Sequence, residues 1–309
     1  MRVFVTGSSG WIGSALVPEL IGAGHEVTGL ARSDASAAAL TEAGARVHRG
    51  DLYDLDGLRG AAGASDGVIH LAFDESAFSG NFQGAIDADR RAVEALGEAL
   101  TGSDRPLVIA SVTLVLAPGR VGTEQDAPGL DPAAAGGPGV ARLATEQVAL
   151  SFASLGVRSS VVRIPPTCHG DGDHGGFLVG LVGIARAKGV SGFIGEGSNH
   201  WPAVHNLDAA HLFRLALEKA PAGSALHAVA DEGVPIRAIA EVIGRHLDLP
   251  VTSVPAERAS EHFGWLAGFL AADNPTSSTL TRELLDWQPT YPGLIEDLDK
   301  GHYFHSRSA

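Results

Sequence analysis

Three glycines, at positions 7, 10 and 13 of Thr6-Gly7-Ser8-Ser9-Gly10-Trp11-Ile12-Gly13, follow a β-branched run and open a helical pattern. Strand, glycine turn and helix in that order can hold a pyrophosphate. The glycines permit a tight turn, close backbone approach and packing of helix on strand, while the helix start offers unpaired N–H groups and partial positive charge. Gly7, Ser9, Gly10, Trp11 and Ile12 are therefore candidate nucleotide contacts, with a purely structural turn as the alternative. At the end of the second strand, where an acidic residue would take the ribose hydroxyls of an unphosphorylated dinucleotide, stand Ala31, Arg32 and Ser33. Arg32 can pair with a 2′-phosphate and Ser33 can hydrogen-bond it, which favours NADP(H) over NAD(H); the alternative is a solvated surface arginine. Asp51 and Leu52, after the third strand, either lie against an adenine or simply end that strand.

Other residues able to do chemistry are scattered. "ASVTLVLAPG" brings the hydroxyls of Ser111 and Thr113, and "DADRRAVEAL" the carboxyls of Asp87 and Asp89. "HGDGDH" holds His169 and His174, whose unperturbed pKa suits proton transfer near neutrality. Both are equally readable as loop histidines bonded to backbone, and their spacing with the aspartates matches no metal-ligand pattern, so no metal is expected. Cys168, the single cysteine, reads as a small buried hydrophobe rather than a nucleophile. Trp201, His205, Trp265 and Phe269 either line an apolar substrate pocket or pack in a core.

These groups need elements to position them. Strands at Arg2–Thr6, Glu26–Ala31, "ARVHRGD" and "GVIHLAF" (67–73), and the later apolar strands "PLVIASV" and "SSVVRI", alternate with helical patterns. Strands that are apolar throughout and alternate with helices form a parallel sheet covered on both faces. The fold class is thus α/β, a Rossmann-type doubly wound parallel sheet with a smaller C-terminal substrate-binding cap. Residues 1–164 make the nucleotide-binding domain, with a return segment near 200–228, and 165–309 are mainly cap. Pro18, inside the first helix, should cost a hydrogen bond or a kink. Helical patterns at 236–246 and 279–285 are expected to complete the cap. The chain has 309 residues, 45% of them apolar, enough for a sizeable core, and its formal charge of −14 repels nucleic acid and anionic membranes. With one cysteine and no apolar run of about 18 residues, a cytoplasmic protein acting on a small molecule is expected.

"TGSSGWIG", "GDLYD", "VIHLAF", "VVRIPPTCHGDGD" and "WPAVHNLDAA" fall in an order and spacing that resembles the extended short-chain dehydrogenase/reductase superfamily, in its epimerase/dehydratase-like branch and especially its atypical members. The resemblance covers most of the chain. It implies a nicotinamide cofactor, often a dimer, and further cofactor contacts from Leu71, Ala72 and Phe73 and from Pro165, Pro166 and Thr167. In that family a Tyr moves the proton, a Lys four residues later lowers its pKa and holds the ribose, and an upstream Ser or Thr binds the carbonyl. Here Glu146 fits the Glu that follows the Lys, which places Arg142 at the Lys position and Pro138 at the Tyr position. The residues four beyond Tyr53, Tyr291 and Tyr303 are Gly57, Ile295 and Arg307, so no Tyr-x-x-x-Lys exists. The family's helix Asn falls on Asp89 or Asp87. The resemblance runs Pro165-Pro166-Thr167 past the nicotinamide, which makes His169 the candidate proton source, with Ser111 or Thr113 holding the substrate oxygen and Arg142 the ribose. The expected activity is NADP(H)-dependent oxidoreduction of a small or medium-sized apolar carbonyl or enone. The alternatives are a redox-silent NADP(H)-binding regulator, and an isomerase or cyclase without net hydride transfer.

Overall fold

The computed structural model describes residues 1–74, 81–126 and 138–305. The strands, in chain order, are β1 (Arg2–Thr6), β2 (Glu26–Ala31), β3 (Arg46–Arg49), β4 (Gly67–His70), β5 (Pro106–Val112), β6 (Arg158–Ile164), β7 (Thr167–His169), β8 (Ser191–Ile194), β9 (His200–His205), β10 (Ser224–His227), β11 (Asp231–Pro235) and β12 (Val251–Val254). Between them run helices α1 (Trp11–Gly22), α2 (Asp34–Glu42), α3 (Leu55–Gly63), α4 (Phe82–Leu100), α5 (Pro138–Ser151), α6 (Phe177–Lys188), α7 (Asn206–Lys219) and α8 (Ile236–Leu247). After β12 come the short α9 (Ala259–Phe263), α10 (Ala267–Leu270), α11 (Thr279–Leu285) and α12 (Leu294–Asp299).

Seven strands form one sheet in the order β10-β6-β5-β4-β1-β2-β3, and every pairing in it is parallel. Strand alternation sends Val3 and Val5 of β1 to one face, where they meet Leu16 and Leu20 of α1 and Phe213 of α7. Phe4 goes to the other face, against Leu58 of α3 and Val93 and Leu96 of α4. Both faces are therefore dry, as continuous apolar strands require. The chain winds outward from β1 in both directions, so the crevice beyond the C-terminal ends of β1 and β4 is the topological switch point where such folds bind ligands.

A separate apolar core lies beyond β6. There Leu178 and Leu181 of α6, Phe193 of β8, Trp201 of β9, Ile239 and Ile243 of α8 and Phe263 of α9 pack together. Two expected placements change. The segment 200–205 does not rejoin the large sheet: β9 pairs with β7 and β11 in a sheet of three, and the strand that returns to β6 is β10, after α7. The helix at 279–285 does not belong to the cap core, because Leu285 and the following Trp287 are buried in the α1/α7 layer, where the Trp287 indole donates to the Asp208 carbonyl at 3.1 Å. Pro18 is exposed and α1 runs through it to Gly22. Among the described residues no helix is long and apolar enough to cross a membrane.

Candidate active site

The three turn glycines are required for different reasons. Gly7 has φ +66°, and a Cβ there would lie 2.6 Å from the Ala72 nitrogen, so the turn is pressed on the segment that follows β4. A Cβ on Gly13 would lie 2.1 Å from the Gly7 oxygen, which is the close packing of α1 on β1. Gly10 is different. It is exposed, with extended backbone, and a Cβ there would meet only the Gly7 oxygen, at 3.2 Å. That single contact is milder than those at Gly7 and Gly13, and on the exposed side the bare Cα leaves room for a group that approaches from outside. The first turn of α1 has no side-chain cap and no acidic residue, so its N–H groups remain open to an anion. Ser9 is exposed, Ile12 is half-buried, and the Trp11 indole donates to the Cys168 carbonyl at 2.8 Å, tying the turn to β7. Arg32 and Ser33 stand exposed at the end of β2, with Ser33 capping α2 through the Ser36 N–H at 3.1 Å. The Asp51 carboxylate accepts from the N–H groups of Tyr53 and Asp54 and so shapes its own turn, and Leu52 is buried.

At the switch point a polar chain crosses the ends of β1 and β4. The Ala72 N–H donates to the Thr6 hydroxyl (3.3 Å), and that hydroxyl lies 2.8 Å from His70 Nδ1. His70 Nε2 is 3.1 Å from one Asp89 oxygen, and Arg142 donates to the other at 2.9 Å. A carboxylate only accepts, so His70 carries its proton on Nε2 and takes the Thr6 hydroxyl hydrogen on Nδ1. The Arg142 guanidinium lies 4.5 Å over the Phe73 ring, with its side chain 15% exposed. Burial pushes the Asp89 carboxyl upward, but the Arg142 charge and the His70 hydrogen bond outweigh that and hold it below the usual carboxylate range. Asp89 is therefore ionised and is no proton donor, while Asp87, half-buried, takes the Gln83 amide at 3.3 Å. Arg142 and Asp89 thus come together as one unit, at the positions the family resemblance gives to Lys and Asn.

Ser111 and Thr113 are not brought to that unit. Alternation along β5 turns Ser111 inward, where it donates to Glu146 at 2.8 Å, and Thr113 donates to Asn274 at 2.6 Å; their exposures are 2% and 0%. Neither hydroxyl faces the crevice to hold a substrate oxygen. The half-buried side chain at the end of β5 is Val112, which packs beside Val115, Leu116 and Leu143. Glu146 is also bound by the Arg163 guanidinium at 2.5 Å, and Arg163 donates to His227 Nε2 at 3.2 Å. His70, Arg163 and Asn274 were missed as site-shaping residues. Polar side chains inside the apolar runs "VIHLAF" and "SSVVRI" were the available signal for the first two, since a buried charge or dipole requires a partner.

His169 lies elsewhere. Its ring is fully buried, Nδ1 is 3.0 Å from Asp297 of α12, and the ring meets that of His205 edge-on with centroids 5.4 Å apart. The side chain has no exposed surface and is held by Asp297, so it does not open onto solvent in this conformation. His174 bonds the Gly172 carbonyl at 2.9 Å. Pro165 is buried and Pro166 half-buried after β6, and the Thr167 hydroxyl is buried without a partner. Burial, with the Asp173 charge, pushes the Cys168 thiol up, so it stays protonated. The tyrosines are occupied: Tyr53 donates to Asp74, Tyr291 stacks on His205, and the buried Tyr303 hydroxyl accepts the Gly170 N–H at 3.1 Å. The side chain of Pro138 lies outside the described residues. Among those described, no group of three or more His, Cys, Asp or Glu could hold a metal.

The chain is 51% identical over 306 residues to an uncharacterized protein of Schizosaccharomyces pombe, covering 98% of this chain and all of that protein. It is 29% identical over 244 residues to a sterol-4-alpha-carboxylate 3-dehydrogenase (decarboxylating) of Dictyostelium discoideum, covering 76% of this chain and 73% of that one. The solved structure of MoeE5 in complex with UDP-glucuronic acid and NAD superposes with a TM-score of 0.74 at 24% identity, over 96% of each chain. Residues 3–229, from β1 through the return strand β10, match one family along their whole length, and with the glycine turn and the doubly wound sheet this establishes that the chain belongs to the NAD dependent epimerase/dehydratase family.

Proposed function

We propose that this chain is an NADP(H)-dependent oxidoreductase of a small or medium-sized apolar carbonyl or enone, working without a side-chain general acid. The observation that carries the reading is Arg142, a cation fixed by Asp89 and the Phe73 ring at the switch-point crevice and still partly exposed. A guanidinium held there stabilises negative charge developing on a substrate oxygen without reorganising. It remains protonated, so it supplies charge rather than a proton. The proton comes from water at the open crevice. The N–H groups of the α1 turn would hold the pyrophosphate and Arg32 the 2′-phosphate; a bound reduced nicotinamide supplies hydride. The relative from Dictyostelium is by name a dehydrogenase, and MoeE5 was solved with NAD, which fits a dinucleotide at this turn.

Binding calorimetry tests the cofactor half of the reading. NADPH should bind at least about tenfold more tightly than NADH, and Arg32→Ala should remove most of that difference, about 1–3 kcal/mol for a charge-assisted contact. Equal affinities in the unmutated protein would refute it. A second reading, a redox-silent NADP(H) binder, is favoured by one observation: Ser111 and Thr113 are engaged inside, Asp89 is ionised and Arg142 cannot release a proton. NADPH binding with no oxidation by any carbonyl or enone would select it.

A further inference from the structure

The first helical residue after the glycine turn is held from a distant part of the chain. The turn is fixed at its start, where Gly7 presses on the segment after β4, but α1 begins at Gly10 with no side-chain cap. That end is tied down through the Trp11 indole, whose N–H donates to the Cys168 carbonyl in β7 at 2.8 Å. The edge of the same ring faces Gly172, where a Cβ would lie 3.7 Å from Trp11 Cζ3. One short stretch, 168–172, therefore meets the indole twice.

That stretch is fixed in turn by the segment that follows α12. The Gly170 N–H donates to the Tyr303 hydroxyl at 3.1 Å, and the same hydroxyl lies 3.3 Å from the Gly170 carbonyl and 3.3 Å from the Asp173 carboxylate, either of which takes its single proton. Asp173 also accepts the Gly175 and Gly176 N–H groups, at 3.2 and 2.8 Å, and so closes the loop into α6. At the end of β7, His169 Nδ1 lies 3.0 Å from Asp297. His169, Asp297 and Tyr303 are buried, and Leu294, Leu298 and Tyr303 pack in the cap core. Apolar contacts thus anchor the segment already, and the Tyr303 hydroxyl adds a link from it to the loop. We propose that Tyr303 is a positioning residue for the cofactor: its hydroxyl fixes loop 170–173, that loop fixes the Trp11 indole, and the indole holds the N–H groups that start α1 where a pyrophosphate meets them. Donors ordered before the ligand arrives need no ordering on binding, whereas a helix start released at Trp11 must be ordered by the ligand, which weakens affinity. The inference rests on the reading of the turn as the cofactor's phosphate site.

The test is calorimetric titration of the full chain with NADPH, well below its melting temperature, in Trp11→Phe, Tyr303→Phe and the double variant. Each substitution keeps an aromatic ring and removes one polar hydrogen. Each single variant should bind NADPH about fivefold more weakly, the size of one lost hydrogen bond. The double variant should bind about as weakly as either single one, because both substitutions break the same chain of contacts. An affinity within about twofold of the parent's in either single variant, or losses that multiply in the double variant, would overturn the proposal. A residue serving the fold alone lowers the melting temperature and leaves the affinity of the folded protein as it was. Should Tyr303→Phe fail to fold, hydrogen exchange on the unmutated chain decides: NADPH should slow exchange of the Gly170 amide, which the Tyr303 hydroxyl holds, and unchanged exchange there would contradict the link. Gly10→Val separates this inference from the reading beneath it. NADPH binding retained in Gly10→Val fells the turn reading and Tyr303's role with it, whereas binding lost there but unaltered in Trp11→Phe and Tyr303→Phe overturns Tyr303's role alone.

Discussion

His227 shows how much of this interior depends on single protonation states. Its Nε2 accepts from Arg163, which can only donate, and its Nδ1 lies 2.7 Å from the Ser277 carbonyl, which can only accept. The ring is thereby fixed as the neutral Nδ1–H tautomer, and burial, the largest influence, holds its pKa below the ordinary 6.5. The unfolded chain takes up a proton there as the pH falls through about 6.5 while the folded chain does not, so stability present above that value is lost on acidification. His227→Gln should accordingly lose less melting temperature between pH 7.5 and 5.5 than the unmutated protein; equal losses would contradict the tautomer assignment. The partner charge makes a second prediction. Arg163→Met leaves Glu146 buried with only Ser111 to satisfy it, and urea unfolding should show a loss of about 3–5 kcal/mol, the usual cost of an orphaned buried ion.

The glycine turn separates packing from ligand binding within one element. Gly13→Ala drives a methyl group into the Gly7 oxygen and should cost at least about 2 kcal/mol of stability. A Cβ on Gly10 meets that same oxygen at 3.2 Å rather than 2.1 Å, so Gly10→Val should lose less melting temperature than Gly13→Ala while NADPH affinity is lost; retained affinity in calorimetry would remove the turn from the cofactor site. This element was fully legible in the sequence, because its glycine spacing is dictated by backbone geometry that any such strand–turn–helix shares. So was the alternation of strands and helices through β6, which apolar runs record directly. What followed was less legible for physical reasons. β9 and β10 are both short and apolar, and periodicity does not say which of them pairs with β6. The helix 279–285 carries a pattern that reports an apolar face but not its partner layer. For Ser111 and Thr113 the limit was alternation itself: which parity of β5 faces the crevice depends on the register against β6 and on Glu146 lying beneath. His169 sat beside a family landmark in sequence, yet Asp297, 128 residues away, is what claims it.

Taken as one object, the protein is a seven-stranded parallel sheet with a second apolar core beyond β6, and the described polar groups at the ends of β1 and β4 are engaged or ionised. Arg142 is a partly exposed cation held by Asp89, with His70 and Thr6 lined up behind that carboxylate. A ligand that binds only the folded chain must stabilise it, by about 2.7 kcal/mol at a hundred times its dissociation constant, so NADPH should raise the melting temperature more than NADH at equal concentration. The reverse order would contradict recognition of the 2′-phosphate by Arg32. Whether this architecture moves hydride is decided most directly by isotope transfer. The purified chain is incubated with NADPH carrying deuterium at the reactive position of its nicotinamide, first on one face and then on the other, together with 2-cyclohexenone or benzylideneacetone, and the product is read by mass spectrometry. An NADP(H)-dependent oxidoreductase predicts one deuterium per product molecule from one face only, with a rate lowered at least about tenfold in Arg142→Met because the cation that receives the developing charge is gone. Product without deuterium, or no product while NADPH still binds, would contradict it.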